Sequence, residues 1–165
     1  MPLFWKRGFA DTGLQDIEKA TGVNKSGLYS EFKNKEDLFV ATLVYYVKTN
    51  KGAEILSAEP LGWKNVENFF NFALSNSDGC FAVNSMRELA LLPQEAHSIV
   101  AGGRTFLKHM LAKNISAEKT KMSPETLTGI LLTLFSGIAI EQNLHTDRSL
   151  SAHEFRDFLR LLRDM

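Results

Sequence analysis

No stretch constrains this chain more than residues 12–38, where two short helical patterns meet at a glycine and a third helix begins at once. Thr12 followed three residues later by Gln15 has capping-box spacing, and Leu14, Ile17 and Ala20 recur with helical period. A helix is therefore expected over residues 13–21. Gly22 stands where the chain must turn and where a residue without Cβ can take positive φ, and Val23 is expected to tuck between the helices. Asn24 is suited to cap the next helix, on which Leu28 and Phe32 face inward at i, i+4. Lys25, Ser26, Gly27, Tyr29 and Ser30 are left on the outer side, close to the helix N-terminus. The pattern is a helix-turn-helix, and a polar helix start of this kind can enter a major groove and meet phosphates at its edge.

These residues resemble the TetR family of bacterial transcriptional regulators. The resemblance rests on Gly8-Phe9, Thr12, Ile17, Gly22-Val23, Leu28-Tyr29, Phe32 and Lys35-Glu36-Asp37-Leu38. Glu18 stands where the family usually has a small residue, Gly27 where it often has Thr or Ser, and Glu31 where it often has His. The resemblance implies that Tyr29 and Lys35 touch phosphates and that Gln15, Lys25, Ser26 and Gly27 lie near base edges. The DNA-contacting set is thus expected to be Thr12, Gln15, Asn24, Lys25, Ser26, Gly27, Tyr29, Ser30 and Lys35. The family's first helix begins about ten residues before the position this chain allows, so residues 2–8 are expected to be the last turns of a shortened helix. Leu3, Phe4 and Phe9 would then pack on Ile17 and Leu28.

At 165 residues with 44% hydrophobic side chains the chain can bury a sizeable core. Nineteen basic and nineteen acidic residues cancel, and residues 1–50 carry seven basic against six acidic. Neutrality argues mildly against unspecific nucleic-acid binding and permits a site that is only locally basic. A lone cysteine, Cys80, excludes an internal disulfide and fits a reducing compartment. The N-terminus has no signal-peptide pattern, and the apolar run at 130–140 is shorter than the ~20 residues a bilayer-spanning helix needs. A soluble, cytoplasmic protein is the expectation.

Further along, Asn34 with Asp37 starts a helix expected to reach about residue 57, long enough to join two domains. Pro60-Leu61-Gly62 interrupts, and Val66, Phe69, Phe70, Ala73 and Leu74 mark an amphipathic helix that ends near 76–79. Residues 80–92 read as a helix with Phe81, Met86, Leu89 and Ala90 inward, and Pro93 opens another that runs to about Asn114. Ser123-Pro124-Glu125 is a helix start, and Ser151-Ala152-His153-Glu154 is a capping box. The last two helices are placed at 124–146 and 152–162. The fold is all-α with about nine helices: a helix-turn-helix DNA-binding domain at 1–46, and a larger helical effector-binding and dimerisation domain at 47–165.

Gly129, Thr133 and Gly137 fall at i, i+4, i+8 on a helix that is apolar nearly all round, and such a helix must be buried on several sides. An intramolecular core would satisfy it, and so would a homodimeric four-helix bundle. The resemblance implies the dimer, with Gly129, Thr133, Ser136, Gly137, Ile140, Phe155, Phe158, Leu159 and Leu162 at its interface. The family also places an effector pocket in the middle helices. There Phe69, Phe72, Phe81, Met86, Phe106 and Met110 could line a site for a small apolar or amphipathic ligand, or else be plain core, and Gly102-Gly103 marks a close contact or spare room. His97, His109, His145 and His153 lack the spacing of a metal helix, Cys80 suits a buried structural role or a redox sensor, and no nucleophile arrangement stands out. No metal, cofactor or catalytic residue is expected. The reading is a homodimeric transcriptional regulator that binds a double-stranded DNA operator, a repressor relieved by an effector. The alternative is a helical dimeric ligand-binding or protein-interaction module with weak or lost DNA binding.

Overall fold

The computed structural model describes residues 1–144 and 152–164. Among them are ten α-helices and no strand: α1 Pro2–Arg7, α2 Leu14–Thr21, α3 Lys25–Glu31, α4 Lys35–Thr49, α5 Gly52–Ser57, α6 Trp63–Ser75, α7 Phe81–Ser85, α8 Gln94–Ser116, α9 Pro124–Glu141 and α10 Ala152–Asp164. Two 3₁₀ segments, Met86–Leu91 and Gln142–Leu144, extend α7 and α9. The chain divides into two compact units, Met1–Thr49 with Phe81–Gly103, and Asn50–Cys80 with Arg104–Met165.

The first unit is built on aromatic rings. Phe39 of α4 meets Phe4 at 5.2 Å, Phe9 at 5.3 Å and Phe81 at 5.5 Å between centroids, each edge-on. Trp5 meets Tyr46 edge-on at 5.0 Å. Offset and edge-on pairs of this kind add to the area they bury. The short α1 is thus anchored on α4 and α7, a broader base than the expected contacts with Ile17 and Leu28. Gly8 ends α1 with φ +85°, and Gly22 ends α2 in the left-handed conformation, φ +71°, as its place between two helical patterns requires.

In the second unit α6 packs against α5, α9 and α10. Phe70 is fully buried and stacks on Phe155 of α10 at 4.2 Å, while Phe69 and Phe135 meet at 5.2 Å. Asn114, also fully buried, ties the α5–α6 loop to α8. Its Oδ1 accepts from the Gly62 N–H and from Asn65 Nδ2, each at 3.0 Å, and its Nδ2 donates to the Leu56 and Met110 carbonyls at 2.8 and 2.9 Å. A buried amide that uses donors and acceptor together fixes the loop without leaving a polar group unpaired.

Several local expectations are corrected. The helix expected from 35 to 57 breaks after Thr49, where Asn50 Oδ1 accepts the Gly52 N–H at 2.8 Å and starts α5. The helix expected over 80–92 is one α-helical turn followed by a 3₁₀ segment, which turns Met86 and Ala90 outward. Val23 does not tuck between helices and is 42% exposed. Gly13, not Thr12, is the N-cap of α2, and the Asp16 carboxylate accepts the Gly13 N–H at 2.9 Å. Residues 124–144 are long and apolar enough to cross a bilayer by length and composition, unlike the shorter 130–140 run. Leu127, Leu131, Leu132, Phe135, Ile138 and Ala139 of that helix are nevertheless buried in the second unit's core. The expected end of this helix at 146 and the Ser151 capping box lie outside the described residues.

Candidate nucleic-acid interface

Local chemistry positions α3, the helix expected to meet DNA. Asn24 Oδ1 accepts the Gly27 N–H at 2.8 Å and satisfies one of the donors that every helix start leaves open. Leu28 is buried beneath, and Phe32, half-buried, closes the helix as its C-cap. The next helix is capped in the same way, with Asn34 Oδ1 accepting from Asp37 N at 2.8 Å, while Asp37 reaches back to the Lys33 N–H at 3.0 Å.

Gln15, Asn24, Lys25, Ser26, Tyr29 and Ser30 are exposed and Gly27 is half-buried. The Lys25 ammonium lies 5.7 Å from the centre of the Tyr29 ring one turn on, so the two side chains share one exposed strip of α3. Asn24 spends its side-chain oxygen on the cap, and Ser30 donates to the Gly27 carbonyl at 2.8 Å. A β-carbon on Gly27 would come 2.9 Å from Val23 Cγ1, so a larger residue there must move Val23.

Thr12 and Lys35 are placed differently. Thr12 is fully buried and its hydroxyl donates to the Gly8 carbonyl at 2.7 Å. It is a structural hydroxyl that joins the end of α1 to the start of α2. Lys35 is half-buried, and its Nζ donates to the carbonyls of Phe9 at 2.8 Å and Thr12 at 3.1 Å while lying 4.2 Å over the Phe9 ring. Two of its three N–H groups are committed inward, which leaves one for any outside acceptor. Asp16 was not among the expected site residues, yet it caps α2 and pairs with Arg7 at 3.1 Å. The Gly13 N–H, and after it Arg7, hold its carboxyl below the usual aspartate range. An N-cap glycine followed three residues later by Asp is the sequence signal for it.

The six side chains expected around an effector are divided between the two units. Phe81 and Met86 belong to the first unit, the other four to the second. Phe81 is packed among Phe39, Tyr46 and Trp5, Phe69 and Met110 are core, and Phe72 is half-buried. Met86 is 39% and Phe106 52% exposed. The expected dimer residues also divide. Phe155, Leu159 and Leu162 are drawn into the second unit's own core, because α10 turns this face onto α6. Gly129, Thr133 and Gly137 remain exposed, with Ser136, Ile140 and Phe158 half-buried. An open groove runs along them, lined by Gly129, Ile130, Thr133, Leu134, Gly137, Ile138, Glu141 and Phe158. Among the described residues no group of three His, Cys, Asp or Glu side chains is placed to hold a metal.

Residues 1–42 match the family model of the bacterial regulatory proteins of the tetR family. The chain is 33% identical over 100 residues, 54% of its length, to the HTH-type transcriptional repressor ComR of Escherichia coli (strain K12), and covers 47% of that protein. It is 42% identical over 45 residues, 27% of its length, to the uncharacterized HTH-type transcriptional regulator YerO of Bacillus subtilis (strain 168), and covers 16% of it. The chain thus spans half or less of these curated relatives. A solved structure of a putative transcriptional regulator of the TetR/AcrR family superposes with a TM-score of 0.83 at 21% identity, over 98% of this chain and 92% of that one. The reduced form of E. coli NemR gives 0.79 at 21% identity, over 99% and 90%. These two likenesses establish the fold. The helix-turn-helix segment, residues 1–42, is thus similar to the bacterial regulatory proteins of the tetR family, and over the described residues the chain has the fold of these two solved structures.

Proposed function

We propose that the chain is a cytoplasmic transcriptional regulator that reads a double-stranded DNA operator as a homodimer, a repressor relieved by a small apolar or amphipathic effector. The observation that carries this reading is the capped helix α3, with Lys25, Ser26 and Tyr29 exposed along it, inside the segment that matches the tetR family model. Tyr29, and Lys35 through its remaining N–H, would hold phosphates, while Gln15 and Lys25 would meet base edges, Gln suiting adenine and Lys suiting guanine. The DNA-binding part is taken as residues 1–46 and the regulatory part as 47–165. The exposed stripe Gly129, Thr133, Gly137 and its groove support pairing of two protomers through α9, since small residues let facing helices approach closely. A twofold pair would set two reading helices about 34–36 Å apart, one turn of DNA.

A second reading, a dimeric helical module with weak or lost DNA binding, is favoured by two observations. Lys35 turns its charge inward, and residues 1–50 carry seven basic against six acidic side chains. A mobility-shift titration on the DNA upstream of the chain's own gene separates the two. Discrete retardation of that DNA and not of a scrambled duplex supports the regulator, and equal weak affinity for both supports the module.

A further inference from the structure

The link between α1 and α2 is gripped by a carboxylate from far along the chain. Glu88, in the 3₁₀ segment Met86–Leu91, accepts the Phe9 N–H at 2.7 Å and the Ala10 N–H at 2.9 Å, one on each oxygen. Bonds to an ionised acceptor are among the stronger ones a protein makes. Gly8 just before them takes φ +85°, and a β-carbon there would run into the same carboxylate. From the other side Lys35 holds the Phe9 and Thr12 carbonyls. Residues 8–12, which carry the reading pair α2–α3, are therefore clamped by an anion through their N–H groups and a cation through their carbonyls. The 3₁₀ segment is itself tied down, because His97 of α8 donates from Nε2 to the Leu89 carbonyl. All of these groups lie within the first unit.

We propose that Glu88 is a positioning residue for DNA reading: it fixes the α1–α2 link on the 3₁₀ segment, and so presents α3 preorganised to the major groove. This rests on the DNA-reading function proposed above. A head whose link must be ordered on binding loses affinity. In a dimer that loss applies twice. Charge alone predicts the opposite sign, because removing an acidic side chain from a DNA-binding unit raises affinity for any DNA.

The test uses the full chain with Glu88→Ala and Glu88→Gln, upstream and scrambled duplexes, and amide hydrogen exchange at Phe9 and Ala10. Exchange at both amides should accelerate in Glu88→Ala, and affinity for the upstream duplex should fall roughly tenfold at temperatures well below melting, while affinity for the scrambled duplex does not fall. Glu88→Gln keeps one carbonyl acceptor, so it should restore part of both signals, and it carries the test if the alanine variant does not fold. Faster exchange with unchanged or higher affinity for the upstream duplex would overturn the role, as would unchanged exchange. A wild-type chain that does not prefer upstream to scrambled DNA would instead sink the DNA-reading function, and this role with it.

Discussion

Replacing Lys35 by methionine keeps the apolar stem of the side chain and deletes its charge, which isolates the two inward hydrogen bonds and the contact with the Phe9 ring. A hydrogen bond to a charged group contributes ~1.5–3 kcal/mol, and a cation over a ring about 0.5–1 kcal/mol at an exposed site. Taken at face value these sum to several kcal/mol. Lys35 is only half-buried, however, so water can replace part of what is lost, and a net cost of about 2 kcal/mol is the reasonable figure. At about 2–4 °C per kcal/mol for a chain of this size, melting should fall by ~4–8 °C. Amides at 8–13 should exchange faster, because the link they form has lost its cationic clamp. If the third N–H of Lys35 also meets a phosphate, the slope of log affinity against log salt should drop by about one per head on every DNA sequence. Calorimetry, amide exchange and salt titration read these three effects separately. A Lys35→Met chain as stable as wild type to within ~0.5 kcal/mol would refute the clamp.

Three further outcomes are expected. Asn114→Ala leaves the Gly62 N–H and Leu56 carbonyl without their partner in a buried site and should cost ~2–5 kcal/mol in urea unfolding, so a loss below ~1 kcal/mol would mean that the loop finds other partners. Asp16 has a folded-state pKa below its ordinary 3.8, so its stabilising cap is present above that value and is lost as pH falls through the folded pKa. Asp16→Asn should therefore melt below wild type at neutral pH with a gap that closes on acidification beneath pH ~4, and a gap independent of pH would contradict the assignment. A β-carbon at Gly137 meets nothing within 4 Å in the protomer, so Gly137→Leu should leave the protomer as stable or slightly more helical while shifting sedimentation from dimer to monomer; an unchanged dimer mass would remove α9 from the interface.

Sequence signals for the helix-turn-helix were legible because they are local. Gly22, the Asn24 and Asn34 caps and the buried Ile17 and Leu28 each follow from neighbours within one turn. What depended on distant partners was not. Apolar periodicity runs straight through Asn50, so nothing in spacing announces the break that its side chain makes with Gly52. The apolar face of α10 reads the same whether it meets α6 of its own chain or a helix of a partner, and Phe155, Leu159 and Leu162 went to the former. Thr12 has the right spacing for a cap, yet its hydroxyl found Gly8 behind it, and Gly13 took the capping position. Glu88 lies 79 residues from Phe9 in the chain, and only the fold brings them together.

The most direct test of the account is the affinity of wild type and Lys25→Ala for the upstream duplex and for a scrambled one, each across a series of salt concentrations. Wild type should bind its own upstream DNA at least ~10³-fold more tightly than scrambled DNA, and Lys25→Ala should give up about 1–3 kcal/mol of that on the upstream duplex with preference relaxed at one base position per half-site. Equal weakening of both duplexes by Lys25→Ala would take α3's exposed strip out of base reading, and wild-type affinities that do not differ between the duplexes would contradict the central claim.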